Sequence, residues 1–239
     1  MLRVNDIHTY YGKSHILQGV SLDVQKGEIV ALLGRNGVGK STTLKSIMGL
    51  NPPKKGSIHF QGDTDIDITF LPPYKTAQLG ISYVPEDRRI FTHLSTLENL
   101  RTGLDLVHRT KESKNEAIDR VFDYFPQLRE RIHQAGRTLS GGEQQMLAIA
   151  RVMVTKPKLV LMDEPSEGLM PFLVEEIKKA ISRMRDEDVA ILLVEQNAHM
   201  ALEVSDRVYI MEKGVIRYQG EARELAAQEH TLRELLGVS

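Results

Sequence analysis

The stretch Gly34-Arg35-Asn36-Gly37-Val38-Gly39-Lys40-Ser41, with Thr42 behind it, constrains this chain more than any other. Gly34, Gly39, Lys40 and Ser41 stand at the spacing G-x-x-x-x-G-K-[ST]. Before them, Ile29-Val30-Ala31-Leu32-Leu33 is an unbroken apolar run, as expected of a parallel strand covered on both faces. After them, residues 41–48 read as a helix that Gly49 can end. In that strand–loop–helix setting the glycines let the backbone bend tightly and approach an anion with its N–H groups turned inward. The helix N-terminus adds partial positive charge at the same place. Lys40 is then placed to reach the outer phosphates of a nucleoside triphosphate, and the Ser41 hydroxyl to hold Mg²⁺.

A chain of 239 residues fits one domain or two closely joined lobes. It is long enough to bury roughly 70–75% of its unfolded surface and needs no disulfide or metal to fold. It has no cysteine, which excludes disulfides, Cys-ligated zinc and a thiol nucleophile and suits a reducing cytoplasm. The net charge of -1 supplies no global basic field, so no nucleic-acid partner is expected. The histidines show no metal-ligand spacing. The N-terminus lacks the basic-then-apolar pattern of a signal peptide, and the longest apolar runs fall far short of the ~20 residues of a membrane span. The expectation is a soluble intracellular chain that another protein holds at any membrane where it works.

Along the chain, residues 3–7, 20–24 and 29–33 read as strands, the first two antiparallel and leading into the core strand. Tyr10 and Tyr11 precede the turn at Gly12, where a tyrosine either packs or stacks on a base. Residues 51–80 are rich in Pro, Gly and Asp, with a β-like 57–61, and 81–84 is a short strand ended by Pro85. Helical patterns run from 96 to 131. Leu97, Leu100, Leu104 and Val107 keep three- and four-residue spacing, as do Ile118, Val121, Phe122 and Phe125, before Pro126 is expected to stop the helix. This shift from β-rich to helical composition marks a separate lobe at about 87–150.

Ser140 and Glu143 stand at capping-box spacing within Leu139-Ser140-Gly141-Gly142-Glu143-Gln144, which predicts a helix to about Val154. Gly141 and Gly142 at that N-terminus form a second candidate anion site. Leu159-Val160-Leu161-Met162-Asp163-Glu164 is an apolar run whose acids emerge at the C-terminal edge of a central strand. There Asp163 can hold Mg²⁺ and Glu164 can polarise an attacking water. Residues 189–194 read as another buried strand, 208–211 and 215–218 as a hairpin, and 221–236 as a weakly helical tail.

Taken in order, these motifs resemble the nucleotide-binding subunit of an ABC transporter over essentially the whole chain. The resemblance implies an α/β fold. Its phosphate-loop (RecA-like) ATPase core would carry an N-terminal antiparallel β subdomain and a small helical subdomain. Residues 1–239 would form one such domain, with 1–86 and 151–239 as the core and β lobe and about 87–150 as the helical lobe. Within the superfamily, Val84-Pro85-Glu86-Asp87-Arg88-Arg89-Ile90-Phe91, Asp163-Glu164-Pro165-Ser166-Glu167-Gly168-Leu169 and Leu193-Val194-Glu195-Gln196-Asn197 resemble one of the two ATPases of bacterial branched-chain amino-acid importers. That implies ATP and Mg²⁺ as ligands, two membrane-spanning permease subunits, a second ATPase, indirectly a solute-binding protein, and a place on the cytoplasmic face of the membrane. Leucine, isoleucine or valine would be the cargo, although urea and short-chain amide importers carry similar ATPases. Soluble, non-transport ABC ATPases usually have long coiled-coil insertions or two cassettes, and this chain has neither.

The resemblance also implies that two ATPases close face to face, Ser140, Gly141, Gly142 and Glu143 of one completing the other's ATP site. Tyr11 matches the position that stacks on adenine. Three positions depart from the general pattern: Glu86 stands where glutamine is usual, Gln196 where histidine is usual and Met170 where aspartate is usual. An amide at 196 still hydrogen-bonds a γ-phosphate but carries no positive charge. A carboxylate at 86 cannot donate a hydrogen bond, yet it can approach Mg²⁺.

Overall fold

A computed structural model describes residues 1–62, 64–104 and 111–236. The chain opens with β1 (Leu2–Tyr11) and β2 (Ser14–Val24), then β3 (Ile29–Leu33) and α1 (Lys40–Ile47). The segment rich in Pro, Gly and Asp holds β4 (Lys55–Gln61), β5 (Asp65–Asp67) and α2 (Pro73–Gln78), and β6 (Ile81–Val84) follows. Then come α3 (Thr96–Leu104), α4 (Lys111–Tyr124), α5 (Pro126–Glu130) and α6 (Gly141–Met153). Next are β7 (Leu159–Asp163), α7 (Pro171–Asp186), β8 (Ala190–Glu195) and α8 (Ala198–Val204). The chain ends in β9 (Arg207–Glu212), β10 (Val215–Glu221), α9 (Ala222–Ala226) and α10 (Glu229–Leu236).

Two sheets result. A six-stranded sheet runs β10-β9-β3-β8-β7-β6, parallel except for β10, and a four-stranded antiparallel sheet runs β2-β1-β4-β5. Every residue of β3, β7 and β8 is buried. The period-2 alternation explains why. Ile29, Ala31, Leu33, Val160, Met162, Ile191 and Leu193 face a core shared with α3, α4, α6, α7 and α8. Val30, Leu32, Leu159, Leu161, Leu192 and Val194 face a second core made with β1, β2, β4 and α1. A strand covered on both sides has no polar face, hence the unbroken apolar runs.

Register places the functional edge. Leu33 pairs with Glu195 and Asp163 with Val194, so β3, β7 and β8 end at one level. The loop after β3, the acids after β7 and Gln196 after β8 therefore share the carboxyl edge of a parallel sheet, where open α/β sheets bind ligands.

Some local expectations change. β1 and β2 reach Tyr11 and back to Ser14, well past the 3–7 and 20–24 read from the pattern. Register shifts near Val4/Ile7, Ile7/His8 and Thr9/Tyr10, with Asp6 at φ 47°, break the period-2 signal there. Pro126 does not merely stop a helix. α4 ends at Tyr124, and Pro126 opens α5 at its first turn, where its missing N–H costs nothing. Val107 lies outside the described residues. Helices α2, α7 and α8 add to the elements that the sequence pattern predicts.

Candidate functional site

The loop after β3 owes its shape to glycines. Gly34, Gly37 and Gly39 have φ of 153°, 80° and 118°. A Cβ on Gly34 would stand 2.4 Å from the Met211 carbonyl oxygen, and one on Gly39 2.8 Å from Leu17 Cδ2. Gly39 caps α1 with no side-chain hydrogen bond, so side chains leave the first-turn amides of α1 to a ligand. Val38 fixes the loop from behind, its carbonyl accepting the Gly214 N–H at 2.9 Å.

Lys40 is 4% exposed. Its Nζ donates to the carbonyls of Gly34 (2.9 Å) and Arg35 (3.3 Å) and pairs with Glu164 Oε1 at 3.1 Å. The Ser41 hydroxyl donates to Asp163 Oδ1 at 2.9 Å, and the Tyr83 hydroxyl to Asp163 Oδ2 at 2.9 Å. Burial pushes the Asp163 carboxyl up, against those two hydrogen bonds and the Lys45 charge. Burial and the Asp163 charge also push the Tyr83 phenol up, so it stays a proton donor.

A cavity of about 400 Å³ opens over this group. Tyr11, Asn36, Gly37, Gly39, Lys40, Ser41, Thr42, Glu86 and Glu164 line it, together with Ile16 and Glu167. Burial, then the charges of Glu167, Asp163 and Glu164, push the Glu86 carboxyl up. Gln196 lines an adjoining cavity of about 290 Å³, which shares Glu164 and Glu167 as a wall. Glu164 thus faces both spaces. It has φ 48° and is anchored through its N–H to the Val194 carbonyl at 2.9 Å.

Ser140, Gly141, Gly142 and Glu143 do not line either cavity. Ser140 and Glu143 form the expected capping box, with the Glu143 N–H on Ser140 Oγ at 3.3 Å and the Ser140 N–H on Glu143 Oε2 at 2.7 Å. Burial works against the Glu143 charge, yet the Ser140 bonds and Arg131 hold its carboxyl below the usual range. Gly142 packs directly under α7, where a Cβ would stand 2.1 Å from Leu173 Cδ1. Gly142→Ala is expected to push the flexible Leu173 side chain aside at a cost of about 1–3 kcal/mol, which alanine's better helix propensity offsets by about 1 kcal/mol. Thermal unfolding checks this, and the melting temperature should drop by a few degrees at most.

The ABC transporter family profile matches residues 17–167, more than half of the chain and spanning the loop, α6 and both acids. This chain is an ATPase of the ABC transporter family. Its relatives include BraG of Pseudomonas aeruginosa, a high-affinity branched-chain amino acid transport ATP-binding protein. The two are 44% identical over 90% of this chain and 91% of that protein. LivF of Archaeoglobus fulgidus, a probable branched-chain amino acid transport ATP-binding protein, is 40% identical over 100% of this chain and 99% of that one. The lipopolysaccharide export ATP-binding protein LptB of Escherichia coli K12 is 35% identical over 99% and 97%. Among solved structures, an ATP-binding cassette of an ABC transporter in its ADP conformation superposes with a TM-score of 0.83 at 26% identity, covering 98% of this chain and 97% of that one.

Two residues of this ABC ATPase escaped the sequence reading. Tyr83 reaches Asp163 because β6 lies beside β7, a contact visible only through register. Glu195, at the end of β8, is the other, 1% exposed.

Proposed function

We propose that this chain binds Mg·ATP on its phosphate loop and hydrolyses it with Glu164, driving a branched-chain amino-acid importer. The observation that carries the cargo is the identity of 44% and 40%, over nearly full lengths, to two ATP-binding proteins named for branched-chain amino acid transport. Loss of labelled leucine uptake in a strain lacking this chain, restored by the wild-type chain and not by Glu164→Gln, tests it. Undiminished uptake would refute the cargo.

The residues fit their roles. Main-chain amides of the loop, with Asn36, Thr42 and the Lys40 ammonium, receive the phosphates, and Tyr11 flanks the base. Mg²⁺ prefers hard oxygen donors and usually takes only one or two carboxylates together with substrate phosphates. Among the described residues no three acids or histidines form a metal cage of their own. Ser41 and Asp163, already 2.9 Å apart, suit such a shared site, with Glu86 near by. The metal supplies charge neutralisation on the phosphates. Both Asp163 oxygens are engaged by hydroxyls, so of the two acids at the end of β7 Glu164 is the one left to take a proton from water. Ser140, Gly141, Gly142 and Glu143 serve the ATP of a facing ATPase, a role supported by their lining neither cavity of this chain. The helical lobe at about 87–150 receives the permease subunits, with this chain on the cytoplasmic face. No helix among the described residues is long and apolar enough to cross a membrane.

Gln196 sets a rate limit. A charge-assisted hydrogen bond exceeds a neutral one by about 1 kcal/mol, worth several-fold in rate. Gln196→His is therefore expected to raise ATP turnover of the isolated chain several-fold, and a partner ATPase carrying histidine to raise turnover per site. Phosphate release with and without that partner checks both. Equal rates throughout would count against the assignment.

A further inference from the structure

We propose that Glu195 is a positioning residue that ties the segment carrying Glu164 to the segment carrying Gln196. It ends β8, with its side chain buried at the carboxyl edge of the sheet. One oxygen, Oε1, accepts the Ser166 N–H at 3.0 Å, and the other, Oε2, accepts the Asn197 N–H at 3.3 Å. A single carboxylate thus bridges the loop after β7 and the loop after β8.

The bridge fixes more than two amides. Pro165 has no N–H, so Ser166 is the first donor beyond Glu164. The Glu164 N–H is held by the Val194 carbonyl, and the Ser166 N–H by the next side chain along β8. Both ends of Glu164-Pro165-Ser166 are therefore fastened to one strand. Glu164 has φ 48°, a left-handed conformation that persists only where the surroundings enforce it. On the other side Asn197 caps α8 through its side chain, which accepts the Met200 N–H at 3.1 Å. Gln196 lies between that cap and Glu195, so its backbone is held from both sides. Burial pushes the Glu195 carboxyl up and the amide bonds oppose this, while the Glu164 charge adds to the rise. The two amide donors account for a carboxyl group being kept in so buried a place.

Glu195 acts through Glu164, and the inference rests on Glu164 being the group that directs water. The test compares kcat and KM for ATP in full-length wild type, Glu195→Ala, Glu195→Gln, Glu164→Gln and the Glu164→Gln/Glu195→Ala double variant. Misplacing a catalytic group by about 1 Å costs on the order of 10²-fold. Glu195→Ala is thus expected to lower kcat by roughly 10–100-fold with KM for ATP within about twofold of wild type. Glu195→Gln keeps the shape and one acceptor oxygen and should recover part of the loss. The double variant should fall below Glu164→Gln by much less than the Glu195→Ala factor, because only the Gln196 segment is left for Glu195 to hold. Wild-type kcat in Glu195→Ala overturns the proposal, as does a raised KM at unchanged kcat, or a double variant slower than Glu164→Gln by the full Glu195→Ala factor. If Glu195→Ala does not fold, wild-type kcat in Glu195→Gln overturns it. Wild-type turnover in Glu164→Gln would be a different failure, that of the Glu164 assignment itself.

Discussion

Glu164→Gln is expected to lower ATP turnover by roughly 10²–10⁴-fold, the scale for losing a positioned general base. The substitution keeps the length and shape of the side chain and removes its charge and its ability to take a proton. Glutamine can still accept a hydrogen bond from Lys40, which now pairs with Glu164 at 3.1 Å, so the loop keeps its shape and nucleotide affinity should survive. Neutralising an acid on the cavity wall also removes repulsion against the triphosphate. The variant should therefore hold ATP without consuming it and accumulate the closed pair of ATPases. Phosphate release, nucleotide retention on desalting and sizing in the presence of ATP read these three effects separately. Turnover at the wild-type rate would remove Glu164 from its role and leave Glu86 or Glu167, the other acids of the cavity, as candidates.

The elements easiest to read in the sequence were those whose signal is local. β3, β7 and β8 announce themselves as unbroken apolar runs because both faces are covered. The capping box at Ser140 and Glu143 needs only three residues' separation. The phosphate loop needs only eight consecutive positions. What stayed hidden depends on the pairing of distant segments. The bulges that scramble β1 are set by its partners on both sides, and the Tyr10–His15 ring stack at 4.2 Å exists only once the hairpin is formed. Tyr83 and Asp163 are 80 residues apart and meet through sheet order, and Ser166 meets Glu195 in the same way across 29. α7 is a different case. Leu173, Ile177, Ala180, Ile181 and Met184 carry a plain helical stripe, masked by the charged residues between them.

Lys40→Ala is expected to weaken ATP binding by at least about 10²-fold, because a charge-assisted hydrogen bond to phosphate is worth ~1.5–3 kcal/mol and is joined here by direct charge attraction. The damage extends beyond the ligand. Lys40 stitches together the carbonyls of Gly34 and Arg35 and the Glu164 carboxylate, all from one ammonium. Alanine leaves two carbonyls without that donor and one acid, 8% exposed, without its cation. Removing one partner of a fully buried pair costs about 3–5 kcal/mol, and a carboxylate that borders an open cavity keeps access to water, so the loss of stability should fall below that range. Lys40→Met separates the two effects. It fills the space of the lysine stem and restores packing, yet has no charge and no donor, so it should recover only the packing share of the lost melting temperature and none of the ATP affinity. Displacement of a fluorescent nucleotide, measured beside thermal unfolding for both variants, reads the two apart. Retained affinity in either variant would take Lys40 out of the phosphate site, since among the described residues no other ammonium lines the loop cavity.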